Sequence, residues 1–155
     1  MRLLVVAAGT KLPDWVNTGF EEYAGRLTRD YRLDLKEIAL GHRTSGPATQ
    51  AIAKEGEKML AAIPSGAYVV AMQVGGRNLS SEQLAQFLQA RSQEGRDIVF
   101  CIGGPEGLAS DVDARADFKW SLSGLTLPHA LARVVLAEAL YRAVTIIKGH
   151  PYHRA

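Results

Sequence analysis

Residues able to do chemistry gather in the last third of this 155-residue chain. The stretch from Asp97 to His129 opens on a short apolar run, Ile98 to Ile102, that stops at Gly103-Gly104-Pro105-Glu106-Gly107. A second loop, Ser121 to His129, follows about twenty residues later. Without a Cβ, a glycine backbone can approach a ligand closely. Leu122 to Pro128 is mostly apolar, yet the proline keeps it from simply continuing a strand or a helix. Two such loops on one edge of a sheet could enclose a small molecule. Glycine-rich loops are also common as plain connections, so spacing alone leaves both readings open.

Charge points to the same end of the chain. The formal net charge is only +2. From His129 onward, however, Arg133, Arg142, Lys148 and Arg154 face a single acid, Glu138, and three of the four histidines (His129, His150, His153) lie there too. That concentration suits a polyanionic partner; a solvated basic tail is the plainer alternative. His150 and His153 are three apart, but with no cysteine or acidic residue beside them no metal site is expected. The first strand is followed by AAGTKLP, which is neither a dinucleotide nor a P-loop fingerprint, and no G-x-S-x-G elbow occurs. Ser121 and Ser123 read as loop hydrogen-bonders rather than nucleophiles. What remains, a ligand loop pair beside a His/Arg/Tyr-rich terminus, suits a transferase whose cofactor carries the reactive group while the protein orients a polyanionic acceptor.

The elements that must position these residues follow from periodicity. Leu3 to Ala8, Tyr31 to Leu40, Ala67 to Met72 and Ile98 to Ile102 read as strands, the apolar runs as buried ones. Helices are expected from Pro13 through Leu27, with Val16, Phe20 and Tyr23 on the apolar face, and from Ile52 to Ile63. A third starts at Ser80, where Gln83 completes a capping-box pattern. Gly75 and Gly76 read as a turn after the third strand, and HRTSGPAT, with His42 and Arg43, as an exposed loop. Strand and helix alternate throughout, so the fold expected is α/β, a mostly parallel sheet with helices on both faces, in one domain, 1–155. The last helix, Leu131 to Ile147, carries apolar residues around more than half its circumference. Burial on two sides, by its own sheet and by an identical subunit, is expected.

Hydrophobic residues make up 47% and charged residues 22%, ordinary for a soluble protein. The single cysteine, Cys101, excludes a disulfide framework and sits within a strand run as a buried thiol. The opening LLVVAA lacks a signal-peptide pattern, and no uncharged apolar run reaches the length needed to span a membrane, so a cytoplasmic protein is expected.

Four separated motifs, IGGPEGL at 102–108, SLSGLTLPH at 121–129, AEALYRA at 137–143 and HPYHR at 150–154, together with GTKLPDWVNTGFEEY near the start, resemble the SPOUT class of RNA methyltransferases along the whole chain. Within that class they are similar to the small single-domain enzymes that methylate N3 of a pseudouridine in large-subunit rRNA. The resemblance implies a C-terminal trefoil knot, a homodimer and S-adenosylmethionine bound in the knot. It implies cofactor contacts at Met72, Gly104 and Ser123, Gly124, Leu125, Thr126, Leu127 and Pro128, with Gly103 easing the backbone's approach. The N3 imide is a poor nucleophile until it loses its proton. His129 and His153 are the candidate bases, and Arg142, Tyr152 and Arg154 would position phosphate or the base, or stabilise negative charge. A non-catalytic RNA-binding protein and a phosphate-handling hydrolase are the rival readings.

Overall fold

Side chains alternate across a strand, and in β1 (Arg2–Ala8) both sets are apolar. Leu3, Val5 and Ala7 enter one core, with Phe20, Phe100 and Leu136. Leu4, Val6 and Ala8 enter another, with Met59, Val99 and Cys101. The strand is therefore central in a sheet covered on both faces. The computed structural model, which describes residues 1–41 and 48–154, adds β2 (Arg32–Ile38), β3 (Tyr68–Asn78), β4 (Ile98–Ile102) and β5 (Phe118–Ser121) in the order β2-β1-β4-β3-β5. Every pairing is parallel, so each connection crosses over, and helices supply the crossovers. Helices α1 (Asp14–Ala24), α3 (Ser81–Gln93) and α5 (His129–Lys148) cover the first face; α2 (Thr49–Ala62) and α4 (Ser110–Arg115) cover the second. Residues His42 and Arg43 lie outside the described residues.

The α/β reading holds, and the Ser80–Gln83 capping box forms as expected: Gln83 N donates to Ser80 Oγ at 3.1 Å and Ser80 N to Gln83 Oε1 at 2.8 Å. Several local expectations change. Pro13 is the N-cap of α1 rather than a first-turn residue, and the helix ends at Ala24, leaving Leu27 beyond it. Tyr31 belongs to a 3-10 turn that precedes β2. Gly75 and Gly76 are not a turn after the third strand but part of it. Met72 and Arg77 both register with Trp120, so residues 73–76 bulge out of β3. A Cβ on Gly76 would lie 2.8 Å from the backbone of Lys119 and Trp120, a crossing only glycine permits. The stretch after Gly107 contains α4 and β5, which are six and four residues long, too short for periodicity to register.

Helix α5 packs between α1 and α3. Leu136, Ala137, Leu140, Ala143 and Val144 are buried in its own chain, so the neighbouring helices account for much of its apolar surface. Its half-buried outer stripe is Leu131, Val135, Glu138 and Arg142, spaced along one helical face. Among the described residues no helix is long and apolar enough to cross a membrane.

Candidate active site

A cleft of about 470 Å³ opens beside the bulge of β3 and the carboxyl ends of β4 and β5, the edge at which open parallel sheets hold ligands. Met72 and the bulge residues Gln73 and Val74 form one wall, the loop after β4 the second, and Trp120 through His129, except Gly124, the third. Met72, Gly103, Gly104, Ser123, Leu125, Thr126, Leu127, Pro128 and His129 thus come together around the cleft. Gly124 does not: it is exposed, with open space where a Cβ would be. Among the described residues His129 is the one titratable side chain in the lining.

The loops are shaped by their own backbone demands. A Cβ on Gly103 would sit 2.3 Å from the Gly107 carbonyl carbon. The loop closes there, with Gly107 N donating to Gly104 O at 3.0 Å and Gly107 at φ +91°. A Cβ on Gly104 would meet Leu40 Cδ2 at 3.0 Å and Glu55 Oε1 at 3.5 Å. The glycines are therefore demanded by loop closure and by packing behind the loop, not simply by ligand clearance. In the other loop Ser121 Oγ donates to Ser123 O at 2.8 Å, and Leu125 N donates to Ser123 Oγ at 2.9 Å. Pro128 then caps α5, with Ala132 N donating to Pro128 O at 2.9 Å, and His129 becomes the first helical residue.

Arg133, one turn further on, is fully buried. Its Nη1 donates to Glu37 Oε2 at 2.6 Å and its Nη2 to Gly9 O at 2.8 Å, tying the start of α5 to the carboxyl ends of β1 and β2. Its charge had suggested only a share in the basic terminus; its spacing from Leu136, Ala137 and Leu140 was the signal of the buried face. Gln73 is fixed likewise, donating through Nε2 to Asp113 Oδ1 at 2.7 Å. Burial alone would raise the Asp113 carboxyl, but hydrogen bonds from Lys119 and Gln73 outweigh it and hold the group below its ordinary range.

The tail makes a separate cluster. Arg142 pairs with Glu138 at 2.7 Å, and Tyr152 Oη donates to the same carboxylate at 3.1 Å. The Arg142 guanidinium lies 5.0 Å from the centre of the Tyr152 ring, which packs edge-to-face on Tyr141 with ring centres 4.6 Å apart. The Glu138 hydrogen bond raises Arg142; burial, then the Glu138 charge, raises the Tyr152 phenol. His153 keeps a buried Nδ1 without a partner, and Arg154 is exposed. None of these tail residues lines the cleft. Arg142 is thirteen residues along α5 from His129, about 20 Å at the helical rise. One chain does not bring the two groups together.

Known proteins share this layout. The chain is 51% identical to "Ribosomal RNA large subunit methyltransferase H" of Stenotrophomonas maltophilia over the full length of both. It is 49% identical to the Methylococcus capsulatus protein of that name, covering 99% of this chain and 100% of the other. Two solved structures share the fold. A probable methylase family protein from Haemophilus influenzae gives a TM-score of 0.53 at 14% identity, covering 99% of this chain and 70% of that one. A putative methylase family protein from Neisseria gonorrhoeae gives 0.53 at 11%, covering 90% and 81%. The family profile described as "Predicted SPOUT methyltransferase" matches residues 1–153, and with relatives near half identity along its whole length the chain belongs to the SPOUT methyltransferase family.

Proposed function

We propose that this chain methylates N3 of a pseudouridine in large-subunit rRNA, with S-adenosylmethionine as methyl donor, acting as a cytoplasmic homodimer on the assembled ribosome. The whole chain, 1–155, works as one domain, its C-terminal part threaded as the trefoil knot that family membership implies. The observation that carries the cofactor reading is the cleft, of ligand size and, among the described residues, without a Lys or Arg in its lining. A phosphate-bearing ligand would lack a counter-charge there, which disfavours the hydrolase reading. A sulfonium meets no repelling cation, and a passive RNA-binding protein has no use for the cleft. The rRNA target rests on the names of the relatives.

The residues present fit the cofactor. Backbone groups of Gly103, Gly104 and the Ser123–Pro128 loop would hold its polar edges, while Met72, Leu125 and Leu127 cover its apolar surface. When bound, S-adenosylmethionine supplies a methyl already activated by its sulfonium, so no covalent enzyme intermediate is needed. His129, in the cleft wall, takes the N3 proton. The alternative base, His153, lies in the tail with Tyr152 and Arg154, and Arg142 steadies that tail through Tyr152. Since tail and cleft stand at opposite ends of α5 in one chain, a second copy packed through α5 in the opposite sense would bring its tail to this cleft. That geometry supports the homodimer.

Transfer of labelled methyl to ribosomes lacking the modification is the test. Label should appear in large-subunit rRNA, and the protein truncated before Tyr152 should bind S-adenosylmethionine normally but transfer nothing. Unlabelled rRNA would overturn the function, and a full rate from the truncated protein would overturn the tail's role.

A further inference from the structure

Among the described residues, Lys11 is the one non-glycine residue at positive φ, 56°. L side chains enter that conformation only against steric resistance, and lysine lacks the short polar group that lets Asn or Asp do so readily. Its loop is nonetheless held firmly. Gly9 N donates to Ile38 O at 2.7 Å, and Gly9 O accepts from the buried Arg133 at 2.8 Å. Lys11 is exposed and has no acidic partner among the described residues. Asp14, close by, stands in the first turn of α1, where the helix dipole favours it.

Four residues on, Trp15 is 54% exposed while its neighbours on α1, Val16 and Phe20, are buried. An exposed indole in the first turn of α1 and, four residues earlier on the pinned loop, an ammonium without an acidic partner among the described residues give this short segment a chemistry. It can stack on an unpaired base while the cation meets the adjoining phosphate. Its placement fits. The loop leaves β1 at the sheet edge where the cleft opens. A Cβ on Gly104 would lie 3.7 Å from that of Ala8, and Arg133 joins Gly9 to the turn of α5 that carries His129 and Ala132.

We infer that Lys11 and Trp15 form the substrate-strand contact of this enzyme, Trp15 stacking on an unpaired rRNA base beside the methylated nucleotide and Lys11 binding a phosphate of the same strand. The inference rests on the function proposed above and adds to it the element that recognises the RNA.

Methyl transfer to unmodified ribosomes, with ribosome concentration and salt varied, tests it in Trp15→Ala, Trp15→Phe, Lys11→Ala and Lys11→Gly. Trp15→Ala should raise the KM for ribosomes about tenfold, the usual scale of one base stack, and Trp15→Phe should recover most of that. Lys11→Ala should lower the salt slope by about one. Lys11→Gly should weaken ribosome binding equally yet melt at a higher temperature, since glycine relieves the backbone; a merely structural lysine would not split the two readouts. Turnover at saturating ribosomes and affinity for S-adenosylmethionine should not change. Unaltered KM and salt slope in the variants, with normal transfer by the unsubstituted protein, would overturn this inference alone. A dimer that dissociates in Trp15→Ala, read by sedimentation, would assign the indole to a contact between copies and overturn it too. No transfer by the unsubstituted protein would overturn the function, and this inference with it.

Discussion

Gly103 sits where its loop turns back against Gly107, and an alanine there would need backbone to move by more than half an ångström. Gly103→Ala is expected to lower stability by about 1–3 kcal/mol, as overpacking does, and to abolish S-adenosylmethionine binding in calorimetry. Gly124→Ala, which meets open space, should leave both unchanged. A second residue-scale prediction concerns Cys101, whose thiol burial pushes up from 9.0 to about 12. The raised value means the neutral thiol is favoured in the fold. Its contribution is complete below pH 9 and is lost as pH rises towards 12, because the unfolded thiol ionises first. Stability at pH 10 should therefore fall by about 1 kcal/mol from this group, and Cys101→Ala should remove that increment of alkaline sensitivity in urea melts.

Helix α5 does two jobs with its two ends. Its first turn borders the cleft, and its last turn sends off the tail. The exit is set by Gly149 at φ +69°, with His150 N donating to Thr145 O at 2.8 Å and Gly149 N to Ile146 O at 3.2 Å, a left-handed helix stop. Gly149→Ala should cost about 1–2 kcal/mol, the strain of an L residue there. It should reduce methyl transfer more than cofactor affinity, because the tail loses its direction. Gly149→Asn, which tolerates the conformation better, should be milder on both. Equal losses in the two variants would indicate that the cap does not direct the tail. The bulge of β3 belongs to the same scale. Four extra residues opposite Trp120 lift Gln73 and Val74 into the cleft wall, so an irregularity in one strand supplies part of the site.

At the scale of the whole molecule, the proposed dimer would complete the site by bringing one copy's tail to the other's cleft. Leu140 and Val144 are buried within one chain, so charging them would unfold the monomer and report nothing about association. The outer stripe is the place to test. Val135→Glu should yield monomers that still unfold cooperatively, because a charge at a packed interface is desolvated. Sedimentation of the unsubstituted protein as a monomer at micromolar concentration would overturn the dimer. Much of this organisation was legible beforehand. Ile98–Ile102 and Leu3–Ala8 announce central strands because both faces of each are apolar. Ser80 and Gln83 announce a helix start because capping is local, and the two loops after the later strands marked the cleft because glycine and proline punctuate the backbone wherever they stand. Other features depend on what lies across from a residue. A four-residue strand such as β5 has too few positions to show a period and exists through its pairing with β3. The burial of Arg133 depends on Glu37 and Gly9, about a hundred residues or more away in sequence. Which way the missing side chains of Gly103 and Gly104 would point is set by the neighbours that surround them, and the separation of tail from cleft by the length of α5. The sequence by itself determined the longer strands and helices and the two loops of the cleft, because those follow from local periodicity and backbone chemistry; the short elements, the bulge of β3 and which residues meet only the tertiary structure decided, because pairing and contact are properties of two distant segments at once.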